Sequence, residues 1–120
     1  LAQLLGVRRP QFAGAQGGTL FAHRLGTLAA LVAAPLGLAA ETTAHYAGAL
    51  AETLEWHETF GLITAGLALA SLLCSEWGLR RGPAWSRALG TLLLFATAAC
   101  AGIAGNLGGT LVFGPDHLPF

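Results

Sequence analysis

The feature that most constrains this chain is a set of three long apolar runs separated by short polar stretches. The runs cover residues 19–40, 59–77 and 88–105. Each is long enough to cross the ~30 Å hydrocarbon core of a bilayer as an α-helix, which rises ~1.5 Å per residue. Lipid offers no partner for backbone amides, and a helix satisfies them internally. The runs therefore predict three transmembrane helices.

Composition supports a membrane protein and excludes a nucleic-acid-binding one. Hydrophobic residues make up 54% of the chain and charged residues 10%, whereas a soluble domain carries roughly 25% charged residues. The net charge is zero, so no basic face exists for a nucleic acid. We predict an all-α polytopic membrane protein, with an N-terminal segment at residues 1–18 and one transmembrane helical domain at residues 19–120.

The polar stretches between the apolar runs set approximate helix boundaries. We predict helices over about residues 19–48, 54–78 and 84–106, joined on one side by a helical connection and followed by a tail over residues 107–120. Glu76 precedes Arg80 by four residues, the favourable order for a helical ion pair. Trp77 and Trp85 flank the second connection. Trp is enriched at membrane–water interfaces, so this connection is expected to lie at a membrane surface.

The distribution of charge predicts an orientation. All the basic residues lie in the N-terminal part or in the second connection: Arg8, Arg9, Arg24, Arg80, Arg81 and Arg87. Basic connections favour the cytoplasmic side, so we expect the N-terminal segment to be cytoplasmic and the C-terminal tail to be periplasmic in a bacterial inner membrane. The outer side would then collect His and acidic residues: Glu41, His45, Glu52, Glu55, His57, Glu58, Asp116 and His117.

The C-terminal part resembles a known membrane family. Gly108, Gly109 and Leu111 are similar to the Gly-Gly-x-Leu turn that closes the bacterial family termed domain of unknown function 2231. The version associated with c-type cytochromes continues with a Gly, an acidic residue and a Leu, matched here by Gly114, Asp116 and Leu118. The family also has a His followed by a Gly at the head of the preceding helix, as in His57 and Gly61.

The resemblance covers about residues 19–118 and includes two departures. The family begins with a further helix, of which residues 1–6 would be the last turn, so the chain would be the remnant of a four-helix unit. Asn106 stands where the cytochrome-associated members often have His. The resemblance implies a small helical membrane architecture and a periplasmic cytochrome as a partner, and it implies no defined activity.

The outer side contains the candidate ligand-binding residues. His45 and His57 would lie at similar depth on adjacent helices if the first helix continued to about residue 48, and both could then bind a b-type haem. Alternatively, a metal site could use these histidines with two nearby carboxylates, Glu41 and Glu55. In the first case Glu41 would orient His45 from one turn away.

Two further interpretations of these residues remain open. His57, with Glu55 or Glu58, could relay protons to a quinone beside Tyr46 and Trp56. The interpretation we favour is that they are ordinary residues of a membrane interface, since neither a Cys-x-x-Cys-His nor a His-Glu-x-x-His motif is present.

The third apolar run has a face of small residues. Ala98, Gly102, Gly105 and Gly109 recur at the spacing that lets helix backbones approach closely in lipid. We therefore predict that this helix packs on other membrane subunits. The function expected from the sequence is that of a small subunit, not an enzyme, which packs into and stabilises a larger bacterial membrane complex, respiratory or photosynthetic. The alternative is a redox protein with haem b or a metal at His45 and His57.

Overall fold

The chain forms three consecutive α-helices. A computed structural model describes residues 13–43 and 45–115, with side chains from Gly17 onward. The helices are α1 (Ala13–Glu41), α2 (Ala49–Arg80) and α3 (Ala84–Phe113), and the described ranges contain no strand. All three are long and apolar enough to cross a membrane. The predicted class, an all-α membrane protein with three spanning helices, is confirmed.

The connection between α1 and α2 differs from the prediction. The prediction that the first helix continues to about residue 48 is wrong, because α1 ends at Glu41. The hydroxyl groups of Thr42 and Thr43 donate to carbonyls three residues earlier, at 2.7 and 2.8 Å, and such bonds compete with helix continuation. Gly48 then has a φ of 62° immediately before α2. The described part of residues 42–48 is therefore a turn and not the helical connection that was predicted.

The end of α3 also differs. The predicted end was near residue 106, but α3 continues to Phe113, so residues 107–113 are not part of a tail. Gly108 and Gly109 lie inside the helix rather than in a turn. Gly114 ends α3 with a φ of 87°, and its N–H donates to the carbonyl of Thr110 at 2.9 Å, as is typical of a glycine just past a helix C-terminus.

Small residues bring α2 and α3 into close contact. Ser71 and Ser86 are fully buried, and the Ser71 hydroxyl donates to the carbonyl of Gly90 at 2.7 Å. A side chain at Gly78 would overlap the Ser86 hydroxyl, and one at Gly90 would overlap the Ser75 hydroxyl. Close backbone approach and hydroxyl-to-carbonyl bonds are the interactions that join helices in lipid. The α2–α3 pair is therefore the tightly packed part of the molecule.

By contrast, α1 is loosely attached. It packs on α2, and the described residues show no such packing of α1 on α3. Thr27 is the only buried residue among those of α1 whose side chains are described, and its hydroxyl donates to the Ala68 carbonyl at 3.3 Å. Closer to the N-terminus of α1, the Arg24 side chain donates to the Glu76 carboxylate of α2 at 2.6 Å. This arrangement leaves an open groove between α1 and α3.

Candidate functional site

The groove between α1 and α3 is the principal cavity in the described part of the chain. Its volume is about 480 Å³, and it is bounded by α1, the N-terminal half of α2 and the C-terminal half of α3. Most of its lining consists of Ala, Gly and Leu side chains. The polar lining is concentrated where α1 ends and α2 begins, and it includes Glu41, Tyr46, His57 and Glu58. The groove is thus apolar along its length and polar at one end.

His57 is held in a defined orientation across the α2–α3 contact. Its Nδ1 lies 2.8 Å from the carbonyl oxygen of Ala104. Because a carbonyl can only accept, Nδ1 carries a hydrogen, and in a neutral ring Nε2 is then an acceptor. The ring lies against Gly108, where a Cβ atom would come within 2.9 Å of His57 Cε1. Gly108 therefore provides the space that this orientation requires.

Glu58 brings a second acceptor group to the same end of the groove. Its carboxyl group lies close enough to Glu41, His57 and Glu55 to interact with them electrostatically. Its Oε1 atom is buried and has no hydrogen-bond partner among the described residues. A buried acceptor without a partner is unfavourable, and neighbouring carboxyl groups repel one another when both are ionised.

Of the four residues predicted to bind a haem or a metal, Glu41 and His57 line the groove. His45 is exposed in the connection after α1 and is not among the described residues that line the groove. Because α1 ends at Glu41, the predicted helical arrangement of Glu41 beside His45 does not form. Glu55 is exposed on α2, outside the groove lining. No group of three or more His, Cys, Asp or Glu residues that could hold a metal ion occurs in the described ranges.

The small-residue face of α3 does not take part in packing within the chain. Ala98, Gly102 and Gly105 are exposed, and Gly109 is partly exposed. A Cβ atom built at Gly102 or Gly105 meets no atom within 4 Å. The helix contacts inside the molecule use Gly78, Gly90 and Gly108 instead. The face remains available to another helix, as the packing prediction requires.

The opposite end of the molecule has a network of charged and aromatic residues. Glu76 pairs with Arg80 at 3.6 Å, which confirms the predicted ion pair, and it also pairs with Arg24 of α1. Trp77 and Trp85 contact edge to face, with ring centroids 5.6 Å apart. The Arg24 contact was not predicted, because it depends on how α1 crosses α2. The network joins all three helices at this end.

Comparison of the chain with protein-family models, with curated proteins and with solved structures yields no match. The resemblance to the family termed domain of unknown function 2231 therefore stays a hypothesis based on the residues quoted for it. Asp116, His117, Leu118 and residues 1–12 lie outside the described residues. Residues 13–18, predicted to belong to a separate N-terminal segment, are part of α1.

Two contacts of the site were not predicted from the sequence. Gly108 was noted as part of a motif, and its contact with His57 follows only from the register of α2 against α3. Glu58 was considered as a proton relay, but its proximity to Glu41 was not foreseen, because that contact depends on where α1 ends. The sequence contains no specific signal that pairs Gly108 with His57 or Glu58 with Glu41, because polar residues and glycines are common near a bilayer interface.

Proposed function

We propose that the chain is a small integral membrane subunit that packs into and stabilises a larger complex of the bacterial inner membrane. The observation that carries the proposal is the open small-residue face of α3, defined by Ala98, Gly102 and Gly105. Small residues at this spacing favour helix association in lipid, because they allow close van der Waals packing. Lipid contact alone does not require them.

The limited packing within the chain supports the same proposal. Among the described residues, the buried hydrophobic side chains are Ala65, Ala68 and Ala104. Phe95 and Val112 of α3 are each 72% exposed. In a bilayer these large side chains contact lipid or another subunit. A bioenergetic host complex, respiratory or photosynthetic, is favoured by the resemblance to cytochrome-associated proteins.

The orientation proposed for this subunit has the connection between α2 and α3 in the cytoplasm. Arg80, Arg81 and Arg87 lie at or beside that connection, and basic residues favour the cytoplasmic side. The orientation can be tested with single cysteines at Thr43 and Arg81 in a chain whose native cysteines are replaced by Ala. In intact spheroplasts, an impermeant maleimide should label position 43 and not position 81. The reverse labelling would contradict the orientation.

The subunit proposal is tested by substitution on the open face. Gly102→Leu fits within the chain itself, because its Cβ atom meets nothing within 4 Å. At a close contact with another helix the same substitution should cost about 1–3 kcal/mol through overpacking. We expect Gly102→Leu to abolish co-purification with the host complex in a mild detergent while the chain itself still folds.

The matched control is Gly66→Leu. Gly66 is exposed on α2 and likewise has no atom within 4 Å of a built Cβ, so the substitution adds the same volume outside the α3 face. It should leave co-purification unchanged. Equal co-purification of the Gly102→Leu variant and the wild type would contradict the proposed role of the face.

A haem-binding redox protein is the second candidate, and the orientation of His57 is the observation that favours it. A histidine that ligates a metal usually donates its other ring N–H to a carbonyl or carboxylate, as His57 does to Ala104. His57 lines the groove and could supply one axial ligand, whereas His45 is not among the described residues that line the groove. A reduced-minus-oxidised spectrum should then show a b-type band that His57→Ala abolishes and His45→Ala retains. A spectrum without such a band would exclude this candidate.

A further inference from the structure

The groove is accessible from the bilayer because α1 and α3 do not pack on each other in the described ranges. Its volume of about 480 Å³ lies within the range of about 300–1,000 Å³ that is typical of small-molecule sites. The walls along its length are small and apolar, including Ala30, Ala34 and Gly37 of α1 and Ala101 of α3. A lipid-soluble molecule could therefore enter laterally from the bilayer, between α1 and α3, and place an apolar tail along these walls.

The polar end of the groove offers hydrogen-bond acceptors on Glu41, His57 and Glu58, together with the hydroxyl of Tyr46, which can donate or accept. The Nδ1–H of His57 is already donated to Ala104, which leaves Nε2 as an acceptor. Glu58 lines the same end of the groove, and Glu41 places a second carboxyl group beside it. A complementary headgroup must therefore bring hydrogen-bond donors.

We propose that the groove binds a lipid-soluble quinol, with its ring hydroxyl groups donating to His57 and Glu58 and its tail between α1 and α3. A quinol is neutral and has two O–H donors on one flat ring, which suits one neutral nitrogen acceptor and one carboxylate. The oxidised quinone has only acceptor oxygens and cannot make these bonds. A fatty acid or a phospholipid phosphate would add negative charge beside Glu41 and Glu58, which is unfavourable.

This inference goes beyond the proposed function and does not depend on it. The quinol site lies in the groove of a single chain, whereas the subunit proposal concerns the exposed face of α3 at Gly102. The two can therefore fail separately. The haem candidate would use the same histidine, so a His57-dependent haem band in the purified protein would overturn the quinol site.

The test is a binding titration of the full chain in nanodiscs of zwitterionic lipid. The probes are a short-tailed benzoquinol, kept reduced with dithionite, and the corresponding benzoquinone. We expect the quinol to bind at least about tenfold more tightly, because each lost hydrogen bond to a buried or charged acceptor is worth about a factor of ten. Equal affinities for the two forms, or no saturable binding, would overturn the proposal.

Two variants locate the binding. Glu58→Gln should weaken quinol binding by about tenfold, and Glu52→Gln is the matched control, because Glu52 is exposed and lies outside the groove lining. Gly37→Leu should block the tail region without altering either acceptor, since a Cβ at Gly37 meets no atom within 4 Å. Gly66→Leu, which adds the same volume on α2, should bind normally. Wild-type affinity in both Glu58→Gln and Gly37→Leu would overturn the site, as would equally strong competition by a single-chain alkylamine.

Discussion

Gly90 lies at a close contact between α2 and α3, and Gly90→Ala should destabilise the fold. The added Cβ would overlap the Ser75 hydroxyl, and it would lie 3.1 Å from the Ser75 nitrogen and 3.2 Å from the Ser71 carbonyl oxygen. The hydroxyl can rotate away, but the two backbone atoms can move only if the helices separate. Separation would lengthen the 2.7 Å bond from the Ser71 hydroxyl to the Gly90 carbonyl.

The expected cost follows from these two effects. Overpacking costs about 1–3 kcal/mol, and a hydrogen bond between helices in lipid is worth about 0.6–1 kcal/mol. Gly66→Ala makes the same chemical change at an open position of α2, so the difference between the two variants removes the intrinsic helix preference of Ala over Gly. That difference in the free energy of unfolding should be about 2–4 kcal/mol.

The assay is reversible unfolding in mixed micelles, followed by tryptophan fluorescence. Trp77 and Trp85 report on the contact, because they lie on the two helices and their rings meet at 5.6 Å. Adding Ser75→Ala to the Gly90→Ala variant should recover part of the lost stability, since it removes the closest overlap but not the two backbone contacts. Equal stability of Gly90→Ala and Gly66→Ala would refute the assigned packing.

Three further substitutions test the other contacts. Thr27→Val removes the hydroxyl that binds a backbone carbonyl of α2 and should lower the free energy of unfolding by about 0.6 kcal/mol, and at most about 1.7 kcal/mol, in a micelle titration. Glu76→Gln should cost no more than about 1 kcal/mol, because Arg24 is half exposed, but spin labels should show α1 farther from α2. Gly108→Ala should displace the His57 ring and break its Nδ1 bond, which nitrogen NMR of the imidazole would detect as a change of tautomer.

The number and type of the helices could be predicted because each depends on a long apolar run. Their ends were predicted less well, since a helix end depends on single bonds and dihedral angles. Thr42 and Thr43 end the first helix early, and Gly114 rather than Gly108 ends the third. A glycine pair in a polar loop predicts a turn, but glycine is well tolerated inside a membrane helix.

The packing inside the chain was less accessible from sequence. On α2 three residues that face α3 are small and lie four and three residues apart, and these are Ser71, Ser75 and Gly78. That periodicity is typical of a helix–helix contact and could have identified the face. The small residues on the face of α3 form a more regular pattern in the sequence, but that face is exposed in the structure and does not pack on α2.

The candidate site could be predicted only in part. His57 and Glu41 line the groove as expected of residues near one membrane surface, while His45 does not, because the position of a residue in a connection depends on the helix end before it. The pairing of Glu58 with Glu41 depends on the crossing of α1 over α2. Such crossings arise from the sum of many small contacts, so single residues do not specify them.

The most direct test of the account is photo-crosslinking in native membranes from the open face of α3. A small diazirine side chain at Ala98 reports on that face, and the same group at Leu73, an exposed position of α2, serves as the control. Position 98 should form an adduct with one protein of the complex that co-purifies with the chain, and Gly102→Leu should abolish this adduct. Adducts with lipid alone at position 98 would contradict this expectation.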